Sequence, residues 1–428
     1  MLNKDNVREL AYLVRVEDIT PMNADRLECV HIGGWHCVVG KGEFKIGDPA
    51  VYFEIDSQVP DVEPFSSMEF LRSKNFKIKS QKIRGEISQG LLMPVSAFGW
   101  TIKYGQFGWE SEGYAFLGHN GDEPYVVDQQ GVVYTLEGES RFLTQCLGIT
   151  YADPSDNVRK APSMDKYKKM SQRHPNIFKQ KWARWFMRRE WGRKLMFFFF
   201  GKKRDKKSSW PSWVVKTDEE RAQNCPWLYA DSNKYWYVTE KIDGTSTTFT
   251  MKGYGRKRQF LVCSRNVVFD KPDKKCFYDT NVYTEMAEKY CIEDKMTMMM
   301  KNSKEAFDKP LEFITIQAET YGAGIQKRVY GKAEHDMAIF NIIFGFKDGT
   351  TIRLNPDKGK RYAELYKLPY VPVIGLYHIP TNCDDLITYA TGASQIDGMP
   401  REGFVFRSED GIQSFKAVSN EYLLKYHG

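Results

Sequence analysis

Apolar positions in the first 150 residues fall into short runs, Ala11–Val16, Trp35–Val39, Ala50–Ile55 and Gly90–Val95, separated by turns that carry glycine or proline. Runs of this length and punctuation predict β-strands. Five or so such strands with glycine kinks suit a small barrel, and Lys45-Ile-Gly-Asp-Pro-Ala-Val-Tyr-Phe-Glu-Ile-Asp56 places a turn directly before a buried strand, as barrel corners do. From Tyr235 onward strands are expected around Trp236–Glu240, Thr245–Met251, Gln259–Cys263, Leu311–Ala318, Met337–Phe346 and Gly403–Val418, with a charged helical stretch near Tyr283–Phe307. Met296, Met298, Met299 and Met300 lie in that stretch and read as core filler.

Residues 152–235 break the pattern. Asp153-Pro154-Ser155-Asp156 and Ala161-Pro162-Ser163 resemble linker, while Ile177–Phe200 mixes Trp182, Trp185, Phe186, Trp191 and Phe197–Phe200 with arginine and lysine. Such a segment suits self-packing, stacking on bases with pairing to phosphates, or a membrane interface. The four consecutive phenylalanines favour burial at that end, since they cover all sides of a helix.

Charge sharpens this division. The 428-residue chain has a net charge of +7, but residues 158–207 hold 18 Lys or Arg against Asp165, Glu190 and Asp205, a local +15, so the other 378 residues carry −8. A second basic stretch, Arg72 to Arg84, surrounds Phe70, Phe76 and Ile78; it suits a phosphate-tracking edge or a solvated loop. No run approaches the roughly 18 apolar residues of a spanning helix, and Met1 to Asp5 do not begin a signal peptide. The eight cysteines are scattered without CxxC pairs, so neither a disulfide framework nor a zinc ribbon is indicated, and a reducing, cytoplasmic setting is expected.

The chemistry concentrates at Tyr237-Val-Thr-Glu-Lys-Ile-Asp-Gly-Thr245. In extended backbone residues i and i+2 share a face, so Lys241 and Asp243 direct an amine and a carboxylate to one side. A salt-bridged surface hairpin would read the same way, and only order and spacing along the chain separate the two.

Six segments supply that order. Lys241-Ile-Asp-Gly244 is followed by Ser264-Arg265-Asn266, Gln317-Ala-Glu319-Thr-Tyr321-Gly322-Ala-Gly324-Ile-Gln326, Ala338-Ile-Phe340-Asn-Ile342, Arg401-Glu402-Gly403-Phe-Val405-Phe-Arg407 and Ser414-Phe-Lys416-Ala-Val418. Together they resemble the covalent nucleotidyltransferases, the polynucleotide ligases and mRNA capping enzymes, and Ser-Arg-Asn resembles the RNA ligases. Only 12 residues follow Lys416, whereas DNA ligases and capping enzymes usually carry a trailing OB domain. Here Gly47–Asp56 and Lys82–Pro94 resemble the N-terminal OB module of a nick-sealing, ATP-dependent RNA ligase branch.

The resemblance implies an α+β protein: an OB-like β-barrel at 1–150, a basic aromatic linker or insertion at 151–230, and a nucleotidyltransferase domain of antiparallel sheets with flanking helices at 231–428. It implies Lys241 as the nucleophile toward ATP and Lys416 as the grip on the α-phosphate, both catalytic. Phe340 and Val405 would flank adenine, the backbone at Glu240 would read the base edge, and Arg265 would touch the nucleotide or the polynucleotide end. Asp243 and Glu402 would hold Mg²⁺ or Mn²⁺, with Glu319 near the metal or ribose. RNA is the expected partner, the chain is expected to act as a monomer without stable membrane association, and the insertion's Arg184, Arg188 and Arg189 are expected to contact RNA. The alternatives are a catalytically silent nucleic-acid-binding protein on the same scaffold and a GTP-using capping-type enzyme. The final motif departs from the family in offering one lysine, Lys416, where many relatives carry Lys-x-Lys; Arg407 or Lys425 could supply a second cation.

Other signals are weaker. Cys29-x-His31 and His36-Cys37 bring four zinc-ligand types within nine residues, but adjacent His36 and Cys37 would point to opposite faces of a strand, so ordinary barrel packing is expected. No histidine sits in a recognisable nucleophilic triad. Gly253-Tyr-Gly255 lacks the third glycine and following helix of a phosphate loop and reads as a hairpin turn.

Overall fold

The expected N-terminal runs become β1 (Ala11–Arg15), β2 (Asp18–Pro21), β3 (Leu27–Ile32), β4 (Trp35–Gly40), β5 (Pro49–Phe53) and β6 (Leu91–Pro94) in a computed structural model. It describes residues 1, 3–5, 7–104, 123–151, 210–216, 219–230, 234–269 and 280–426, with residues 177, 180–187, 189, 192 and 196 between. Strand β5 is apolar throughout because both its faces are covered. Val51 and Phe53 enter a cluster with Leu13, Phe65 and Met93, while Ala50 and Tyr52 enter another with Trp35 and Tyr12. It lies between β1 and β6, and β2, β3 and β4 form an antiparallel meander beside it in sequence. Of the apolar residues in the basic stretch, Ile78 is buried and Phe70 is exposed.

The C-terminal half is built on two sheets. One runs in the order Glu220–Arg221, β12 and β11 hairpin, β7 and Val373–His378, where β7 is Tyr235–Lys241 and the hairpin strands are β11 (Gly403–Arg407) and β12 (Ser414–Val418). The other contains β8 (Thr245–Lys252), β9 (Gln259–Ser264) and β10 (Leu311–Tyr321), continued by Asp336–Phe346 and Thr351–Arg353 and edged by Val268–Phe269. The run expected as one strand from Gly403 to Val418 is therefore two. Ser408 accepts from Gln413 N and bonds to Asp410, closing the turn between them.

The helical stretch also divides, into α1 (Val282–Lys289) and α2 (Ile292–Ala306), with Cys291 at a φ of +49° between them. Met296, Met299 and Met300 fill the core beneath β8 and β10, but Met298 is 51% exposed. The reason is the helical period: positions 296, 299 and 300 share a face and 298 does not.

By contacts the chain forms two units, residues 1–151 with 210–428, and residues 152–209. Residues 210–230 pack into the first: Trp213 Nε1 donates to Thr250 Oγ1 at 3.0 Å, Gln317 Nε2 donates to the Val215 carbonyl at 2.8 Å, and Glu220–Arg221 pairs in parallel with Phe415–Lys416. The N-terminal region meets the C-terminal half where Ile87 packs with Val418 and Leu423. In the second unit, Lys181–Met187 is helical, with Ala183 buried against Met196 and Trp182 and Trp185 exposed. Phe197–Phe200, the 153–163 linker, Arg188 and the side chain of Arg184 lie outside the described residues. Among the described residues no helix is long and apolar enough to cross a membrane, and the seven described cysteines are unbridged.

Candidate active site

Strand register assembles the site. In the first sheet Thr239 lies opposite Val405, which lies opposite Lys416, and Lys241 lies opposite Gly403. Of these cross-strand rows, Thr239, Lys241, Val405 and Lys416 line one side of a cavity of about 300 Å³. The chain then turns at Ile242–Gly244 into β8 of the second sheet, which supplies Thr245 and Ser246, with Glu319 opposite Ser246 on β10. Phe340 and Arg265 join the lining from the second sheet and its edge turn. The turn requires Gly244: a Cβ there would stand 2.3 Å from the Thr320 carbonyl oxygen.

Lys241 and Asp243 both face the cavity, as the i, i+2 spacing predicts. Nζ of Lys241 donates to Oε2 of Glu402 at 2.9 Å. Burial disfavours the charged amine, but the fields of Glu402, Glu319 and Asp243 outweigh it and raise the pKa of Lys241 above its ordinary value. Glu319 is raised as well, which for a carboxyl favours the neutral form: burial, with Glu402 and Asp243 nearby, pushes it up to about 8 despite the opposing pull of Lys241. Asp243 is buried, accepts from the Tyr422 hydroxyl at 2.6 Å, and donates its backbone N–H to the Tyr330 hydroxyl at 2.7 Å.

The carboxylate of Glu240 is withdrawn from the cavity chemistry. It accepts from Ser394 Oγ and from the Gln395 backbone N–H at 2.8 Å, while its own backbone N–H donates to the Pro372 carbonyl. Burial raises its pKa. Arg407 lines the cavity, but its guanidinium donates to Glu219 at 3.0 Å and to the Phe340 carbonyl at 3.2 Å. Burial penalises the Glu219 carboxylate, yet Arg407 and Lys416 together hold its pKa below the ordinary value. Lys425 is absent from the lining, and its amine lies 5.4 Å over the ring of Tyr426. The exposed Arg189 belongs to the other unit, stacked 3.8 Å over Trp185.

Sequence reasoning missed Glu219, Tyr330 and Tyr422. Glu219 lies outside all six motifs, and the tyrosines reach Asp243 from 87 and 179 residues away, a proximity that no local spacing signals.

Comparison with known proteins bears on the fold. Residues 234–427 match the RNA ligase family model and residues 10–95 match an OB-fold domain model. No curated protein matches. Among solved structures, Naegleria gruberi RNA ligase with PPi superposes with a TM-score of 0.62 at 23% identity, covering 98% of this chain and 99% of that one. A variant of the Naegleria enzyme with AMP and Mn gives 0.61 at 23% identity, and one with ATP and Mn gives 0.60 at 22%, each covering 98% of this chain and 99% of its own. The fold is thus α+β, an OB-fold region followed by a ligase-type nucleotidyltransferase domain.

Proposed function

From an OB-fold domain joined to an RNA ligase domain, we propose that this chain is an ATP-dependent RNA ligase that seals 3′-hydroxyl to 5′-phosphate ends, serving RNA repair. The observation that carries the reading is the amine of Lys241, set in a cavity among Glu402, Glu319 and Asp243 with Lys416 across the sheet. A bare phosphate lacks a leaving group, so one must be attached first. Nζ of Lys241 attacks the α-phosphorus of ATP, forming an N–P bond as the bond to pyrophosphate breaks. A 5′-phosphate oxygen then takes the AMP, breaking the N–P bond. Finally the 3′-hydroxyl attacks the adenylylated 5′-phosphorus, loses its proton and expels AMP. Each step is an in-line transfer in which positioning and charge neutralisation supply most of the rate.

The donor set fits a divalent cation. Asp243, Glu319 and Glu402 offer the hard oxygens that Mg²⁺ and Mn²⁺ take, and burial, aided by their mutual repulsion, raises Glu319 to about 8. Bound there, the cation would supply positive charge that favours the neutral amine and offsets charge on the phosphates. Lys241 must lose a proton and its Glu402 pairing before it can attack. Lys416 is placed to hold the α-phosphate, and Arg407, already neutralised by Glu219, serves to seat Phe340 rather than as a second phosphate grip. Phe340 and Val405 offer the apolar surface for adenine, and Arg265 at the rim suits the polynucleotide end. The chain is read as a cytoplasmic monomer, with the basic segment, Arg184, Arg188 and Arg189 included, binding RNA phosphates.

Intact mass after incubation with ATP and Mg²⁺ or Mn²⁺ tests this. A gain of one AMP that is lost in Lys241→Ala supports the ligase. Addition of GMP from GTP instead would indicate a capping-type enzyme, and no adduct with either nucleotide would leave a silent binding protein.

A further inference from the structure

Far from the motifs in sequence, the β3–β4 hairpin gathers a second set of ligand-type side chains. Its register places His31 directly opposite His36, and Cys29 lies two residues before His31 on the same face. One ligand atom from each of Cys29, His31 and His36 lies within 4.8 Å of the other two, and the two imidazoles stand 4.2 Å apart centre to centre. Cys37 faces the other way into the β-region core. The alternation expected of His36 and Cys37 is present, but three of the four side chains share a face because the hairpin folds His36 back onto His31.

Nε2 of His36 is buried, and what faces it is Oδ1 of Asp384, 3.5 Å away, a pairing that holds the Asp384 carboxyl below its ordinary range. Zinc bonds of about 2.0–2.3 Å at tetrahedral angles separate ligand atoms by roughly 3.3–3.7 Å. The N–O spacing of His36 and Asp384 falls in that range; among the described residues Cys29, His31 and His36 alone form the cluster within 4.8 Å, and the exposed Asp384 side chain, anchored beside His36, must rotate to join Cys29 and His31. Thr20 Oγ1 lies 3.0 Å from Nε2 of His31, the kind of outer hydrogen bond that fixes which ring nitrogen is left to coordinate. Asp18, Glu86 and Asp384 add a negative field around His31, which attracts a cation.

We propose that Cys29, His31, His36 and Asp384 bind one zinc ion, which clamps the β3–β4 hairpin of the OB-fold region to the ligase domain. Asp384 is the second residue of the helix Cys383–Ala390 in the catalytic half. The hairpin tip is seated at the start of that helix, since a Cβ on Gly34 would stand 2.6 Å from Cys383 Sγ. The mixed sulfur, nitrogen and oxygen set suits zinc and differs from the all-carboxylate set beside Lys241. The zinc therefore has a structural role, fixing the OB-fold surface relative to the catalytic cavity.

Cobalt reports the site directly. The full-length chain, stripped with chelator and titrated with Co²⁺, should show tetrahedral ligand-field bands and a sulfur-to-metal charge-transfer band, saturating at one equivalent and bleached by one equivalent of Zn²⁺. Carboxylates near Lys241 cannot give the charge-transfer band. Cys29→Ser should abolish it, His36→Gln should weaken Zn²⁺ binding at least a hundredfold, and Asp384→Asn should weaken it about tenfold with the band retained. Zn²⁺ should raise the thermal midpoint of the stripped wild type and not that of His36→Gln. Absence of the band, or its persistence in Cys29→Ser, would overturn the site. If Cys29→Ser does not fold, unchanged Zn²⁺ affinity in His36→Gln would overturn it equally. Unchanged affinity in Asp384→Asn would remove the clamp between the two regions.

Discussion

Nζ of Lys241 and Oε2 of Glu402 stand 2.9 Å apart, the first at the end of β7 and the second immediately before the neighbouring β11. The pair stabilises the ammonium and so would oppose the attack proposed for Lys241 until the carboxylate is engaged elsewhere. Removing the Glu402 charge lowers the Lys241 pKa, since Glu402 is the largest influence raising it. In Glu402→Gln the acid limb of the pH profile for single-turnover adenylylation should move to lower pH. The plateau rate should fall about a hundredfold as a cation-holding carboxylate is lost. An acid limb that stays in place would show that this pairing does not set the amine's protonation.

Glu319 carries the complementary prediction. A carboxyl whose folded-state pKa is raised to about 8 favours folding below its unfolded value, and that contribution is lost as pH rises through about 8. Glu319→Gln should therefore be more stable than wild type without divalent cation at pH 8 and nearly equal at pH 5. The gain is expected to be about 1–3 kcal/mol, and Mg²⁺ or Mn²⁺ should shrink it. Urea denaturation at the two pH values reads this, and equal gains at both would refute it.

Tyr422 is 179 residues from Asp243 and donates to it at 2.6 Å. Tyr422→Phe removes that hydroxyl while keeping the ring, so the fold should persist while Asp243 loses one partner. Such outer partners are typically worth about 10–100-fold in metal affinity. The Mn²⁺ concentration giving half-maximal adenylylation should rise by about that factor, with the ATP dependence changing less. A uniform loss of rate at saturating Mn²⁺ would assign Tyr422 to another step.

The motif residues were legible because their chemistry is tied to local backbone form: Lys241, Asp243 and Gly244 belong to one strand end and turn. Gly403, Val405 and Lys416 fall into register with that strand only once the hairpin is paired. The strands around Ala11, Trp35, Thr245 and Leu311 were readable from their apolar runs. What was hidden arises from long-range packing or from pairing register. Tyr330 and Tyr422 reach Asp243 across the domain, Glu219 meets Arg407 from outside every motif, and the facing of His31 and His36 depends on a two-residue turn. Met298 reads as core by composition, where helical phase turns it outward, and the break at Cys291 is a left-handed backbone step that the apolar and charged pattern does not mark.

Gly244 makes a steric prediction. A methyl group 2.3 Å from the Thr320 oxygen cannot be absorbed by a side-chain rotation, because the opposing atom is backbone of the central strand β10. Gly244→Ala should cost about 1–3 kcal/mol and displace Asp243 relative to Lys241. Since misplacement of about 1 Å can cost on the order of a hundredfold, adenylylation should fall at least that far even well below the melting temperature. A near-normal rate would mean that the turn can move without disturbing the pair.

The basic segment separates binding from chemistry. It forms its own unit, and Arg189 is exposed there, stacked on the exposed Trp185. If Arg184, Arg188 and Arg189 each neutralise a phosphate, replacing all three with glutamine should reduce the slope of log affinity against log salt by roughly 2–3. RNA affinity should drop at low salt, while formation of the Lys241 adduct, which needs only ATP and cation, should be unchanged. Fluorescence anisotropy over a salt series, run beside adduct formation, distinguishes the outcomes. An unaltered salt slope would mean that the local +15 charge does not act through these arginines, and a parallel loss of adduct would mean that the segment serves the nucleotide site itself.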